Sequence, residues 1–95
     1  MDEEKIVITV VGVDRPGIVA MVAGILAENN INIEDMRSTI LQSETPVFTM
    51  IMIADMRNSK ISYEELKKIL KQKGEETGVT LIALKEEIFK FLHRV

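Results

Sequence analysis

The chain opens with a strand joined to a helix by a turn of four residues. Residues 6–13 are apolar or β-branched at almost every position, which is typical of a strand in the middle of a sheet. The strand breaks at a turn formed by Asp14, Arg15, Pro16 and Gly17. A helix follows, with a single apolar stripe made of Ile18, Met21, Val22, Ile25 and Leu26. Because the first turn of a helix has free backbone N–H groups, the segment predicts a place where a small anion such as a carboxylate can bind.

Each residue of this turn also has an ordinary structural use. Asp14 can accept the free N–H groups of the helix as an N-cap, Pro16 suits the first helical turn, and Gly17 removes a side chain beside the helix start. The Asp14 carboxylate can equally accept a hydrogen bond from the ammonium group of a ligand. Capping, ligand contact and both together therefore stay open for Asp14, and for Arg15 we expect a side chain that faces solvent.

Three further strands are predicted, at about residues 31–41, 47–54 and 79–85. In the second strand Ile31 and Ile33 fall on one face, whereas Met36 and Ile40 fall on the other. Because side chains alternate with a period of two, this change of phase predicts a β-bulge near residues 34–35. The third strand is apolar on both faces, and one helix layer cannot cover both of them.

Two further helices are predicted. Ser62 with Glu65 three residues later forms a capping box, which predicts a helix start, and the helix should end at Gly74 or Gly78. The last residues, from about 86, return to a helical period with Ile88, Phe91, Leu92 and Val95 on one side.

The order of these elements is β-α-β-β-α-β followed by a short helix. Two right-handed crossovers around a hairpin give an α+β fold, the ferredoxin-like βαββαβ plait, with a four-stranded antiparallel sheet and two helices on one face. A chain of 95 residues has room for one domain. We place that domain at residues 1–95, with a core at about 4–85 and a C-terminal helix at about 86–94.

The composition of the chain argues against several classes of function. The chain has no cysteine, its net charge is −3, and its basic residues are scattered or mixed with glutamates. We therefore expect no cofactor, no metal, no nucleic-acid partner and no membrane partner. No catalytic set accompanies the turn, so we expect that the protein is not an enzyme. The longest apolar runs are too short for a membrane helix and the first residues are acidic, so we expect a cytoplasmic protein.

Residues 11–20 (VGVDRPGIVA) and 30–36 (NINIEDM) together resemble the motifs of an ACT domain. They are similar to the small stand-alone ACT proteins and to the glycine-cleavage-system transcriptional repressor, which carry a D-R-P-G-I-V-A turn and an N-x-N-I-x-D strand. Either motif alone is weak, but both occur at the spacing of the family and on the expected elements. The resemblance covers about residues 4–85 and leaves the terminal helix outside.

The resemblance implies a regulatory module that binds a small molecule, usually an amino acid, and works as a homodimer or higher oligomer on a partner protein. Its sites would lie between the turn of one subunit and the second strand of its neighbour. The ligand-binding residues expected from it are Gly12, Asp14, Arg15, Gly17, Ile18, Asn32 and Ile33. Some amino-acid binders of the family have a histidine at the position of Gly12.

A second interpretation is a structural or interaction protein in which the ligand site is vestigial. The apolar reverse face of residues 47–54, together with the terminal helix, would then form an obligate oligomer. RNA binding and acylphosphatase-type catalysis share this topology but lack support. Phe48 is the single aromatic residue expected on the sheet, and a phosphate-cradling glycine pattern is missing.

Overall fold

The apolar first strand lies in the interior of the sheet, as its sequence predicts. The computed structural model describes residues 4–92. Its strands are β1 Lys5–Val13, β2 Asn32–Leu41, β3 Val47–Asp55 and β4 Thr80–Lys85. They form one antiparallel sheet in the order β2-β3-β1-β4. Strand β1 is therefore paired on both sides, while β2 and β4 form the edges.

Three helices complete the chain: α1 Ile18–Glu28, α2 Tyr63–Thr77 and α3 Glu86–Leu92. The element order and the antiparallel sheet confirm the ferredoxin-like plait, and each predicted element is present with bounds that differ by a residue or two. Residues 93–95, including the Val95 expected on the apolar side of the terminal helix, lie outside the described residues. Within residues 4–92, the helices are too short or too polar to cross a membrane.

The core lies between the sheet and the helices α1 and α2. The large side chains that are almost fully buried there come from both layers: Ile8, Val10, Val22, Leu26, Met50, Met52, Leu66 and Leu70. The strand residues in this group are even-numbered, because alternate side chains of β1 and β3 point to the same face. Burial of this face against the two helices supplies the main hydrophobic stabilisation of the fold.

A bulge in β2 explains why the apolar pattern of its sequence changes phase. Pairing with β3 shifts by one residue between Ile33 and Asp35, so Glu34 is the extra residue. Directly opposed residues of an antiparallel pair point to the same face. The shift therefore brings Met36 and Ile40 onto the helix-covered face with Ile33. The predicted irregularity near residues 34–35 is confirmed.

Helix α2 starts with the predicted capping box. The Ser62 hydroxyl accepts a hydrogen bond from the Glu65 N–H at 3.0 Å, and the Glu65 carboxylate accepts one from the Ser62 N–H at 2.8 Å. The helix continues through Gly74 and ends before Gly78, whose left-handed backbone (φ +76°) forms the C-cap. Of the two predicted ends of this helix, Gly74 and Gly78, the structure confirms Gly78.

Helix α1 starts without a side-chain cap, so the capping prediction for Asp14 is wrong. Its N-cap is Gly17, with φ +94°, and no side chain accepts from the helix there. Asp14 lies three residues earlier, and its backbone N–H donates to the carbonyl of Pro46 at 3.0 Å. Pro16 precedes the N-cap and lies outside the helix. The N-cap therefore lies three residues later than a cap at Asp14 would place it, and its positive φ favours glycine at position 17.

The face of the sheet opposite α1 and α2 is exposed over much of its area, and we call it the open face. Its exposed apolar residues are Val11, Val13, Leu41, Ile51 and Ile82. Val7, nearer the start of β1, is buried at 3% exposure, and α3 packs against β1 and β4. One helix layer thus leaves an apolar face uncovered, as the two-sided pattern of the third strand predicts.

Two helical glycines allow a matched test of this packing. A Cβ atom on Gly74 would lie 2.5 Å from the carbonyl oxygen of Val79, whereas a Cβ on Gly24 would meet nothing within 4 Å. We expect Gly74→Ala to lower the free energy of unfolding by about 1–3 kcal/mol. Gly24→Ala should raise it by about 0.5–1 kcal/mol. Urea unfolding at equilibrium measures both, and a Gly74→Ala variant as stable as the parent would contradict the close approach.

The two helix starts allow a second test. Ser62→Ala removes one arm of the capping box and should lower the free energy of unfolding by about 1 kcal/mol. Asp14→Ala removes no cap and should change it by less than about 0.5 kcal/mol. The same urea titrations measure both variants. A loss of stability in Asp14→Ala equal to that in Ser62→Ala would show that Asp14 caps α1 in solution.

Candidate functional site

The turn between β1 and α1 is fastened to two other parts of the chain. The backbone N–H of Asp14 donates to Pro46, in the loop before β3. The guanidinium of Arg15 donates to the carbonyl oxygen of Thr77 at 2.8 Å, at the end of α2. Arg15 is exposed as expected, but it also satisfies a carbonyl at the helix C-terminus, where a cation is favourable. Its role in the structure is to hold the turn against α2.

The start of α1 presents backbone donors to open space. The first backbone hydrogen bond of the helix runs from the Met21 N–H to the carbonyl of Gly17 at 2.9 Å, so the N–H groups before Met21 have no partner within the helix. An added Cβ on Gly17 would have no heavy atom within 4 Å. Ile18 is buried in the core, and only its backbone can reach a ligand. The positive end of the helix dipole at this point favours an anion.

Gly12 contributes backbone and packing space to this region. It is half-buried, and a Cβ atom there would lie 3.2 Å from Cγ2 of Val79, a buried residue. A larger side chain would have to displace Val79. The absence of a side chain at position 12 therefore fits the packing of Val79 against the end of β1.

Asn32 and Ile33 lie at the opposite end of the sheet from the turn. Asn32 is opposite Asp55 in β3, and Asp55 is opposite Lys5 at the start of β1. The turn follows Val13 at the other end of β1. Nine residues of strand span about 26 Å. A single copy of the chain therefore does not bring the turn and Asn32 together, and a site made from both needs two copies.

Asn32 lines a cavity of about 370 Å³ at its own end of the sheet. The other lining residues come from the end of α1, the connection to β2, and the end of β3 with its following loop: Ala27, Asn30, Ile31, Asp55, Arg57 and Asn58. Neither motif includes Asp55 at the end of β3 or the loop residues Arg57 and Asn58. An aspartate directly after an apolar strand, with an arginine two residues later, is the signal that indicates them.

An ion pair forms one wall of this cavity. The Asp55 carboxylate accepts hydrogen bonds from the backbone N–H of Arg57 at 2.8 Å and from its guanidinium at 2.9 Å. The Asp55 side chain is 11% exposed, and that of Arg57 is 55% exposed. The cation is therefore the member of the pair that solvent reaches.

A second polar link joins the two loops around the cavity. The side-chain amide of Asn30, whose φ is +60°, donates to the carbonyl of Asn58 at 2.8 Å. The backbone N–H of Lys60 donates to the carbonyl of Asn29 at 2.9 Å. These bonds connect the end of α1 with the loop after β3. Across residues 4–92, no group of three or more histidine, aspartate or glutamate side chains is arranged to hold a metal ion.

Comparison with known proteins shows which family this chain belongs to. A family model described as the ACT domain matches residues 4–83. A UPF0237 protein of Methanocaldococcus jannaschii is 46% identical over 91 residues, which cover 96% of this chain and 98% of that protein. The structure of an ACT domain protein from Streptococcus pneumoniae has 32% identity and a TM-score of 0.78, with 94% of this chain and 97% of that one covered.

A third similar protein is larger than this chain. It is a structure described as a glycine cleavage system transcriptional repressor, with 27% identity and a TM-score of 0.71. The match covers 90% of this chain and 47% of that one. The family model spans the turn, α1 and β2, which carry the two motifs, and it ends before α3. The chain therefore belongs to the ACT domain family.

Proposed function

We propose that this chain is a non-catalytic regulatory module of the cytoplasm that binds an amino acid between two copies of itself. ACT domains are typically regulatory domains that bind small molecules, and family membership supports that role. The observation that carries the proposal is the uncapped start of α1, with its free N–H groups beside an Asp14 carboxylate that does not cap the helix. These groups match the two charged groups of an amino acid.

The chemistry of an α-amino acid fits the turn. Its carboxylate can accept hydrogen bonds from the N–H groups at the start of α1, and the lack of a side chain at Gly17 leaves room for it. Its ammonium group can donate to the exposed Asp14 carboxylate. Asn32 offers both a donor and an acceptor from the opposite wall.

A two-fold dimer supplies that opposite wall. Strand β2 is an edge strand, so one side of it has no strand partner within the chain. Antiparallel pairing of β2 with β2 of a second copy would extend the sheet to eight strands. The two-fold axis reverses the partner's β2 and places its Asn32 at the end of the sheet where the turn lies. Gly12, Asp14, Arg15, Gly17 and Ile18 of one copy then share a site with Asn32 and Ile33 of the other.

A site shared in this way also supplies an output. A ligand that contacts two copies stabilises the dimer over the monomer, because it binds only the assembled form. Ligand occupancy and assembly are therefore coupled, and a protein partner that recognises the dimer senses the ligand. The regulated partner in this proposal is therefore a protein that binds the assembled dimer.

Mixed dimers test the shared site. A thermal-shift screen of the twenty amino acids first identifies the ligand, and calorimetric titration then measures its affinity. Asp14→Ala and Asn32→Ala should each weaken binding about tenfold or more, since each removes a charge-assisted or paired hydrogen bond. An equimolar mixture of the two variants, refolded together, should regain about a quarter of the sites at parental affinity, because each mixed dimer has one intact site.

Two outcomes would contradict the proposal in different ways. If no amino acid raises the melting temperature or gives heat on titration, the chain is not an amino-acid sensor. If a ligand binds but the mixture of dimeric variants regains no sites, the site lies within one copy and does not span two.

The open face favours a second candidate function, an interaction protein with a vestigial ligand site and obligate oligomerisation. Val11, Ile51 and Ile82 are 38%, 45% and 49% exposed. Ile51 of β3 and Ile82 of β4 flank Thr9 of β1, and Val11 lies two residues further along β1 on the same face. Exposed apolar residues grouped on one face in this way mark an interaction surface. A second copy packed against this face would bury them without any ligand.

Light scattering distinguishes a dimer formed through the open face from one formed through the β2 edge. Ile51→Lys places a charge in the middle of the open face and should convert an open-face dimer into monomers, because an unpaired charge cannot be buried there. Gln72→Lys adds the same charge to the exposed side of α2 and serves as the control. A dimer that survives Ile51→Lys would exclude the open face as its interface and would favour the β2 edge.

A further inference from the structure

Helix α3 presents its apolar side away from its own sheet. Ile88, Phe91 and Leu92 lie three and four residues apart, so they share one side of the helix, and all three are exposed. Phe89, on a different side, is half-buried, and the helix packs against β1 and β4. An amphipathic helix normally buries its apolar stripe. The exposed stripe of α3 therefore indicates that a further surface packs against it.

The helix covers one end of the open face and leaves the other end uncovered. Its 7 residues span about 10 Å, whereas β1 is about 26 Å long. Val7 is buried, but Val11 is exposed, as is Ile82 opposite Thr9. The uncovered half of the open face is the part from Thr9 to Val13 on β1, with the residues opposite them on β3 and β4. It lies roughly one helix diameter, about 10 Å, below the outer side of α3.

The uncovered half is chemically suited to an apolar partner. The side chains that β1, β3 and β4 contribute to it are threonine, valine or isoleucine. A shallow depression of about 290 Å³ lies on its β2 side and is lined by residues that include Thr9, Thr39, Thr49, Ile51 and Arg37. The Arg37 side chain is 85% exposed on the edge strand, so its guanidinium can stay in water when an apolar side chain enters the depression.

The step between α3 and the uncovered half limits what can pack there. A flat surface would meet α3 first and would not reach Val11 or Ile51. A fitting partner has a ridge about one helix diameter high with an apolar outer side. Helix α3 of a second copy is such a ridge. A two-fold axis between the sheets and perpendicular to the strands stacks two open faces with their strands reversed, which places each α3 over the uncovered half of the other copy.

The area is large enough for a stable interface. Strands about 4.8 Å apart and about 26 Å long give an open face of roughly 500 Å² in projection. Two such faces, with the relief of their side chains and the outer sides of two helices, are comparable to the roughly 1,200–2,000 Å² that specific interfaces bury in total. We infer that α3 of one copy packs on the uncovered half of a second copy's open face, with both α3 helices in one layer between the two sheets.

This interface is separate from the amino-acid site. The family model ends at residue 83, before α3, so the contact uses a helix outside the matched region. Strand β2 is the edge strand farthest from β4, and its edge takes no part in the contact. Pairing through the β2 edge and stacking through α3 can therefore occur in the same assembly, which would then be a tetramer.

A charge on the outer side of α3 tests the interface in the full-length chain. Ile88→Glu and Leu92→Glu each place a carboxylate in the contact and should halve the particle mass measured by light scattering, because an unpaired charge would be buried there. Both positions are exposed in a single chain, so circular dichroism should show an intact fold. Gln72→Glu adds the same charge to the exposed side of α2 and should leave the mass unchanged. A monomeric parent, or a mass that survives both variants, would overturn the inference.

Disulfide trapping then identifies the two surfaces, because the chain has no cysteine of its own. Leu92→Cys is mixed in turn with Val11→Cys, Thr49→Cys and Thr80→Cys, and the mixtures are oxidised. Mass spectrometry should find a disulfide between the two different variants for at least one of these positions. Lys68→Cys, on the exposed side of α2, is the control and should not cross-link to Leu92→Cys. Cross-linking equal to that of the control would contradict the contact, and it would leave the proposed amino-acid site untouched.

Discussion

The pairing of β1 with both β3 and β4 is the constraint on which the rest of the structure depends. It places the most apolar strand inside the sheet and leaves β2 as an edge that can pair with another chain. It also fixes the turn of Asp14 and Gly17 at one end of the sheet and the start of β2 at the other. Because both helices that cover the core lie on one face, the same pairing leaves the open face apolar and exposed. The proposed dimers, through the β2 edge or through the open face, are consequences of this one arrangement.

Most of the fold could be predicted from the sequence because its signals are local. The capping box at Ser62 and Glu65 involves residues three apart, and the bulge at Glu34 appears as a change of phase within one strand. The prediction that Asp14 caps α1 was wrong, although its signal is equally local. A capping residue type near a helix start does not specify where the helical backbone begins, and the positive φ of Gly17 moved that point three residues along.

The cavity at Asn32 could not be predicted from the sequence, because the residues that form its walls are distant from one another in the chain. Asn30 and Asn58 are 28 residues apart and meet only when β2 pairs with β3. The motif indicates Asn32 alone, and nothing in it points to the loop after β3. The Asp55–Arg57 pair is local, but its importance depends on the burial of Asp55, which the tertiary structure decides.

The contrast between the two long helices bears on how such a module responds to a ligand. Helix α2 satisfies its own N-terminus with Ser62 and Glu65, and its first turn carries Glu64 as well. Helix α1 has no side-chain cap and no acidic residue in its first turn. A missing cap typically costs about 1 kcal/mol, and an anion bound at the start of α1 would recover it. Since such an anion binds the folded state and not the unfolded chain, its binding energy adds directly to the stability of the turn and of any dimer that completes the site. An uncapped α1 therefore links ligand binding to stability and assembly, which a helix capped by Asp14 would not do.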